Sequence, residues 1–231
     1  MCGRFALHEP PEEIVRAFQL ARGELASGHG PRYNIAPTDD VLAVRVRDKG
    51  RGREAALLRW GLVPHWAKDA SVAARTINAR AETVAEKPTY RDSFKSRRCL
   101  IPADGFYEWQ KRASGKQPYY FKMNDGKVFA FAGLWDEWWR AGTSLESCTI
   151  LTTEPNELTR PIHNRMPVIL QPTEYDTWLD PDVNDPARLG SLLRPFPARQ
   201  MAAYPVSTFV SRAGNEGPTC IEPLDGRSLF D

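Results

Sequence analysis

Short apolar segments of the kind that form β-strands, each bounded by turn residues, run through most of the chain. The clearest case is Asn124–Gly126, a turn sequence between Tyr119–Met123 and Val128–Leu134. An Asp-Gly turn between two such segments predicts a β-hairpin. A second hairpin is expected from Val41–Arg47 and Ala55–Trp60, which flank a glycine-containing turn. A chain with this pattern is expected to fold around β-sheet.

The remaining elements are also short. Extended segments or strands are expected at Tyr33–Thr38, Cys99–Pro102, Phe106–Trp109, Cys148–Thr153, Val168–Leu170 and Met201–Val206. Short helices are expected at residues 10–22, 81–86, 90–95, 154–158, 172–180 and 186–193. With no internal repeat and no low-complexity linker, the sequence predicts one sheet-rich α+β domain over residues 1–231.

Composition excludes several classes of protein. Apolar residues make up 42% of the 231 residues, and no apolar run approaches the roughly 20 residues that a membrane-spanning helix needs. The four cysteines are far apart, which argues against a zinc knuckle and a disulfide framework; they are Cys2, Cys99, Cys148 and Cys220. Charged residues interrupt the N-terminus, where a signal peptide would be apolar. We therefore expect a cytoplasmic protein without membrane association, metal or cofactor.

The charge balance leaves nucleic-acid binding open. The net charge is only +2, but arginines are dense at residues 45–59 and basic residues recur at 91–98. Seven tryptophans accompany them, which fits stacking on unpaired bases as well as it fits a core. Charge runs are often solvated faces, so composition alone does not decide between these two roles.

Cys2 becomes the N-terminal residue if Met1 is removed. It then carries an amine and a thiol on the same two-carbon unit, and such a 1,2-aminothiol condenses with an aldehyde to a five-membered thiazolidine. An internal cysteine cannot do this, because its nitrogen is part of an amide. An α-amino group titrates near pH ~7.7–8.0, so the amine is usable near neutral pH. The alternative is that Cys2 is a buried residue of a strand, like many free cysteines.

Three other segments hold residues with potential chemistry. Glu108 lies among aromatic residues in a predicted strand, where burial would raise its pKa. His163 lies in a segment that prolines on both sides restrict. Asn78 and Arg80 are two residues apart, so in extended backbone their side chains point to the same side. Each of these residues could equally be structural when taken alone.

Six motifs in a fixed order resemble the SOS response-associated peptidase (SRAP) family, which senses abasic sites in single-stranded DNA. The resemblance extends to about residue 220. The motifs are Met1–Phe5 (MCGRF), Tyr33–Pro37 (YNIAP), Arg59–Pro64 (RWGLVP), Asn78–Glu82 (NARAE), Gly105–Trp109 (GFYEW) and His163–Pro167 (HNRMP). The resemblance implies a barrel-like, mainly antiparallel β core with short flanking helices, and a basic groove leading to Cys2.

The resemblance also implies an activity: a thiazolidine cross-link between Cys2 and the ring-opened aldehyde of an abasic deoxyribose. Asn78 would position the N-terminus or the sugar, Glu108 would act as acid and base, and His163 would assist sugar opening. The family is associated with removal of its own Met1. The expected contacts to single-stranded DNA are Arg4, Arg80 and Arg165 at phosphates and Trp66 and Trp109 at bases. We expect a monomer.

Two other functions remain open from the sequence. Glutaminase domains of amidotransferases also begin Met-Cys-Gly and use the N-terminal amine as a base. The glycine-rich glutamine-binding strands of that class are not found in this chain. A non-catalytic single-strand-binding module would explain the arginines and tryptophans, but it would leave Cys2, Glu108 and His163 without a role.

Overall fold

The computed structural model describes residues 2–20, 25, 30–47, 50, 52–140 and 142–224. The strands in these residues are β1 Phe5–Leu7, β2 Arg32–Ile35, β3 Asp40–Arg45, β4 Glu54–Trp60, β5 Asn78–Arg80, β6 Arg98–Ala103, β7 Gly105–Arg112, β8 Gly115–Met123, β9 Phe129–Arg140, β10 Thr143–Thr153, β11 Met166–Pro167, β12 Ile169–Leu170 and β13 Met201–Pro205. The α-helices are α1 Pro11–Phe18, α2 Arg91–Ser96, α3 Tyr175–Leu179 and α4 Pro186–Gly190. Short 3₁₀ helices lie at Ala70–Arg75, Pro172–Glu174, Ala198–Gln200, Thr208–Ser211 and Pro218–Cys220.

Five strands close into a barrel. The hydrogen-bonded order is β4, β3, β6, β9 and β10, and β10 closes the ring because it pairs with both β9 and β4. The pairings of β10 with β4 and β5 are parallel, whereas the other strand pairs of the barrel are antiparallel. Closure removes the exposed edges that an open sheet would present.

A second, antiparallel sheet packs between the barrel and the C-terminal part of the chain. Its order is β13, β8, β7, β1 and β2. Phe5 of β1 makes edge-to-face contacts with Trp60 and Phe131 of the barrel, at centroid distances of 5.3 and 5.7 Å. Ala6 points to the opposite face, where it joins a small buried cluster with Val210 and Cys220. The N-terminal strand is therefore covered on both faces.

The structure confirms the sheet-rich α+β fold, and the predicted hairpin at Val41–Arg47 and Ala55–Trp60 forms as β3 and β4. The hairpin predicted around Asn124–Gly126 is wrong. β8 pairs with β7 and β13, whereas β9 pairs with β6, β10 and β12. The turn does form, but it carries the chain from one sheet to the other. Turn residues specify a change of direction, and tertiary pairing decides which strand lies alongside.

Two predicted helices are turns in the structure. Residues 81–86 form isolated turns closed by hydrogen bonds between residues three positions apart, for example from Thr83 N to Arg80 O. Residues 154–158 do not form a helix, because the side-chain oxygen of buried Asn156 accepts a hydrogen bond from Thr159 N. Competition of this kind is why asparagine disfavours helix interiors. α1 ends at Phe18, since Gln19 takes a left-handed conformation (φ 54°), and residues 21–22 of the predicted helix lie outside the described residues.

The arginine-rich stretches mainly hold the fold together. Arg45 is buried and pairs with Glu54 and Glu146, while its guanidinium lies 4.2 Å from the Trp135 ring centroid. Arg98 is also buried and donates to backbone carbonyls around α3, including Trp178 O at 2.6 Å. Burial lowers the pKa of Arg98 to about 10. These two arginines are therefore structural, so the density of arginine along the sequence does not by itself indicate a binding surface.

Within the described ranges, the helices are all too short or too polar to cross a bilayer. All four cysteines are free and buried.

Candidate active site at the N-terminus

The register between β1 and β7 brings the N-terminal residues alongside Glu108. Phe5 lies opposite Phe106, and Tyr107 N donates to Arg4 O at 3.0 Å. Residues 2–4 therefore continue along β7 beyond the end of β1. The Cys2 side chain is fully buried, with its Sγ 4.0 Å from Arg4 O.

Glu108 is a buried carboxylate beside the buried thiol. It is 3% exposed, because it shares a face of β7 with Phe106 and that face packs inward. Burial raises the pKa of Glu108, and His163 partly offsets the rise. Burial also raises the pKa of the Cys2 thiol, and the nearby Glu108 raises it further. Both shifts favour the protonated forms of these two groups.

His163 faces Glu108 from a turn held against β7. Its Nδ1 lies 3.8 Å from Glu108 Oε1 and accepts a hydrogen bond from Arg165 N at 3.1 Å. Gln110, on the same face of β7 as Glu108, donates to Pro161 O at 3.2 Å and so ties the turn to the strand. The imidazole is about one quarter exposed, so it connects the buried carboxyl group with the surface.

Asn78 lies on β5, beside the end of β10. Its Nδ2 donates to Ile77 O at 2.8 Å. Its Oδ1 is buried and accepts no hydrogen bond in the part of the chain that the structure describes. Most buried acceptors in proteins have a hydrogen-bond partner, so this one is unusual. Asn78 makes no hydrogen bond to Cys2, Glu108 or His163 within the described residues, so its predicted role stays a proposal.

The three predicted phosphate contacts have different environments. Arg80 is exposed at the end of β5. Arg165 is mostly buried and makes a bidentate ion pair with Glu82, in which Nη1 lies 2.5 Å from Oε1 and Nη2 lies 2.9 Å from Oε2. Arg4 donates to neutral oxygens only, so its charge has no carboxylate at ion-pair distance among the described residues. Arg80 and Arg4 therefore supply positive charge that internal pairs do not cancel.

The two predicted stacking groups also differ. Trp66 is 52% exposed, although its neighbours are fixed: His65 N donates to Asp136, and Ala67 O accepts from Trp138 Nε1. A large aromatic ring on a fixed loop is suited to stacking. Trp109 is half-buried, and its indole donates to Ser211 Oγ at 3.0 Å. Only part of the Trp109 ring is left for a base.

Three residues that hold the side chains of this site were not predicted from the sequence. Asn34, Glu82 and Gln110 hold Arg4, Arg165 and the His163 turn respectively. Asn34 and Glu82 lie inside motifs that were recognised, but nothing in a single sequence indicates which atoms a side chain will bind. Gln110 could have been found from its spacing, because it is two residues beyond Glu108 on the same strand face.

The raised pKa of Glu108 predicts that Glu108→Gln stabilises the protein at neutral and higher pH. Because the folded pKa lies above the unfolded value of about 4.3, ionisation of this group costs stability. This loss of stability is absent at pH values below the pKa of Glu108 in the unfolded chain, and it is complete at pH values above its pKa in the folded protein. The melting temperature of Glu108→Gln should therefore exceed that of wild type increasingly as pH rises through this window. A difference of 1 kcal/mol corresponds to about 2–4 °C in a domain of this size.

Thermal unfolding at several pH values, with the exposed Glu157→Gln as control, tests this prediction. The control should show no pH-dependent difference from wild type. A melting temperature for Glu108→Gln below that of wild type at alkaline pH would contradict the assigned environment of Glu108.

Comparisons with known proteins show the family to which the chain belongs. Residues 1–213 match the family described as SOS response associated peptidase (SRAP). The abasic site processing protein YoqW of Bacillus subtilis is 44% identical over 224 residues, covering 96% of this chain and 99% of that protein. The abasic site processing protein HMCES of Gallus gallus is 35% identical, covering 97% of this chain and 78% of its own.

A crystal structure of a protein from Bacteroides thetaiotaomicron superimposes with a TM-score of 0.87 at 28% identity, covering 96% of this chain and all of that one. This chain belongs to the SOS response associated peptidase (SRAP) family.

Proposed function

We propose that this protein processes abasic sites in DNA by forming a covalent thiazolidine through Cys2 after removal of Met1. The observation that carries the proposal is the meeting of Cys2, Glu108 and His163 at the N-terminus. The names of the relatives, which are abasic site processing proteins, support the substrate class.

The reaction balances without a cofactor. The Cys2 amine adds to the aldehyde carbon of the ring-opened sugar, and the resulting carbinolamine loses water to give an imine. The thiol then adds to the same carbon, its proton moves to the nitrogen, and a five-membered ring closes. One water is released, and no electrons are gained or lost overall.

The proton steps suit Glu108 and His163. The amine must lose a proton before it attacks, and the thiol must lose one as the ring closes. Glu108 acts electrostatically on the Cys2 thiol, and its raised pKa makes it a better proton acceptor than an ordinary glutamate, able also to return the proton. His163 lies between Glu108 and the surface, so it is placed to donate to the sugar ring oxygen and favour the open aldehyde. Both groups must also serve the reverse reaction.

Asn78 and Met1 complete the proposal. The Oδ1 of Asn78, which accepts no hydrogen bond from the described residues, would accept one from the Cys2 amine or from a sugar hydroxyl. Met1 must leave before the amine of Cys2 is free. A thiol beside a carboxyl group and an imidazole is also a suitable set of groups for hydrolysing the bond before Cys2. The protein would then mature itself.

Single-stranded DNA is the proposed partner, because an abasic sugar in a strand without a complement is accessible to a buried nucleophile. Arg4, Arg80 and Arg165 would contact phosphates, while Trp66 and Trp109 would stack on the neighbouring bases. The charge of Arg165 is shared with Glu82, so we expect Arg80 and Arg4 to contribute more to affinity.

Arg80→Ala should weaken binding of intact single-stranded oligonucleotide and reduce its salt dependence. Loss of one phosphate contact should lower the slope of log K against log salt by about 0.7. Binding is measured by fluorescence anisotropy at several salt concentrations. Arg188→Ala, which removes the same charge from the exposed face of α4, is the matched control. Equal slopes for wild type and Arg80→Ala would mean that Arg80 does not contact the backbone of DNA.

The proposed function is tested by mixing the protein, with Met1 removed, and a single-stranded oligonucleotide that contains one abasic site. An adduct that survives denaturation supports it, and the same oligonucleotide with an intact base should give none. Binding without an adduct would indicate a non-catalytic single-strand-binding module. Ammonia release from glutamine would indicate the amidotransferase reaction instead.

A further inference from the structure

Asn34 joins three separate parts of the chain with one buried side chain. It lies on β2 and is 1% exposed. Its Nδ2 donates to three backbone carbonyls: Val210 O at 3.2 Å, Arg212 O at 3.0 Å and Asn215 O at 2.8 Å. These carbonyls belong to residues 207–216, which we call the C-terminal strap.

The oxygen of the same amide holds the N-terminal segment. Arg4 Nη1 donates to Asn34 Oδ1 at 2.7 Å, and it also donates to Val210 O at 2.9 Å. Arg4 Nη2 lies 3.4 Å from Ser211 O, to which it donates. The Arg4 guanidinium is therefore held in place by Asn34 and by the strap.

The far end of the strap is fixed to the same strand. Glu216 accepts hydrogen bonds from Tyr33 N at 2.8 Å and Asn34 N at 3.3 Å. Ser211 accepts from the indole of Trp109, which is next to Glu108 in β7. The strap is thus bound to β2, to β7 and to the N-terminal segment.

Arg4 is two residues from Cys2, and its backbone oxygen is bound by Tyr107 N and lies beside the Cys2 thiol. Terminal residues fray unless they are tied down, and a terminal nucleophile has no chain on one side to fix it. β1 is only three residues long, so few ladder bonds restrain what precedes it. The Arg4 side chain supplies the missing restraint.

We propose that Asn34 is a positioning residue for the proposed Cys2 reaction, acting through Arg4 and the C-terminal strap. Asn34 does not touch the substrate in this assignment. It fixes the N-terminal segment so that the amine and thiol of Cys2 stay against Glu108. The inference rests on the proposed function for its kinetic consequences, but the restraint on Cys2 can be measured without DNA.

The kinetic test compares wild type, Asn34→Ala and Glu216→Ala, each with Met1 removed, on abasic single-stranded DNA. The maximal rate of adduct formation should fall about tenfold or more, since a misplacement of about 1 Å can cost ~10²-fold. The DNA concentration that gives half of this rate should change much less than the maximal rate, because Arg4 is only one of several proposed phosphate contacts. Thr208→Ala, an exposed change on the strap that removes none of these bonds, should match wild type.

The second readout is alkylation of individual cysteines by iodoacetamide, followed by peptide mass spectrometry. Cys2 should react several-fold faster in both variants than in wild type. Cys99 and Cys148, buried in the barrel, should stay unreactive and so exclude general unfolding. Glu216→Ala decides the matter if Asn34→Ala does not fold, because Glu216 is exposed and its loss leaves the core intact.

The outcomes separate this inference from the proposed function. Absence of any wild-type adduct, together with faster alkylation of Cys2 in the variants, would overturn the proposed function and keep the restraint. Unchanged alkylation of Cys2 and an unchanged maximal rate in a folded variant would overturn the inference. A change in half-saturation alone would also overturn it, because Asn34 would then act through DNA binding.

Discussion

Cys2→Ala, in protein lacking Met1, is expected to abolish the denaturation-resistant adduct with abasic single-stranded DNA. Alanine keeps the terminal amine but removes the thiol, so the reaction can proceed only as far as an imine, which water reverses. Binding to intact single strands should be nearly unchanged, because Cys2 is buried and makes no ionic contact in the described residues. Adduct yield on a denaturing gel, with anisotropy on intact DNA, measures both effects.

Cys148→Ala is the matched control for Cys2→Ala. Cys148 is equally buried but lies inside the barrel, and its nitrogen is part of an amide. Its adduct yield should equal that of wild type even if its stability falls. An undiminished, heat-stable adduct in Cys2→Ala would remove Cys2 from the reaction.

Glu108→Gln is expected to slow both formation and reversal of the cross-link by about 10²–10⁴-fold, the usual contribution of a positioned acid or base. Glutamine keeps the shape of the side chain but cannot accept a proton. The wild-type rate should stay high between the raised pKa of Glu108 and the titration range of the Cys2 amine, because in that window the carboxylate is ionised and removes the proton. In Glu108→Gln the rate should follow the titration of the amine itself, about pH 7.7–8.0 for an ordinary α-amino group.

Rates of adduct formation between pH 5 and 9 test this role, where the lower bound is set at about the onset of carboxylate titration. Glu157→Gln removes a carboxylate from the exposed turn before His163 and should keep the wild-type profile. If Glu108→Gln also keeps the wild-type rate and profile, the carboxylate is only structural. A further distinction comes from stability, since a mutation that lowers the rate while raising the melting temperature is typical of a functional group.

The sequence predicted most of the strands, because local alternation and turn residues determine where they begin and end. Of their pairings, it predicted the β3–β4 hairpin but not the others. The Asn124–Gly126 turn looked like a hairpin, yet it connects two sheets, because pairing depends on residues far away in the chain. Closure of the barrel depends on β10 pairing with both β9 and β4, which no local pattern encodes.

The candidate site was predicted in part for similar reasons. Residue type suggested chemistry for Cys2, Glu108 and His163, and this stays a proposal. The structure places His163 Nδ1 3.8 Å from Glu108 Oε1, and Glu108 raises the pKa of the buried Cys2 thiol. The roles of the arginines could not be anticipated. Arg45 and Arg98 are internal, Arg165 is paired with Glu82, and charge density along the sequence does not distinguish them from exposed Arg80.

The contacts of the C-terminal strap could not be predicted from the sequence. Its hydrogen bonds with Asn34 are accepted by backbone carbonyls, which every residue has, so no residue type indicates them in the sequence. The site consequently depends on chain segments from both ends of the sequence. In the proposed reaction, this arrangement would hold the terminal nucleophile in a buried position.

The most direct test of the central claim is the mass of the N-terminal peptide after reaction with abasic single-stranded DNA. The adduct is trimmed with nuclease, treated with iodoacetamide under denaturing conditions and digested. A thiazolidine uses both the nitrogen and the sulfur of Cys2, so the peptide should carry the sugar fragment less one water and should not be alkylated. An adduct on a peptide whose Cys2 is still alkylated, or on a lysine elsewhere in the chain, would contradict the account.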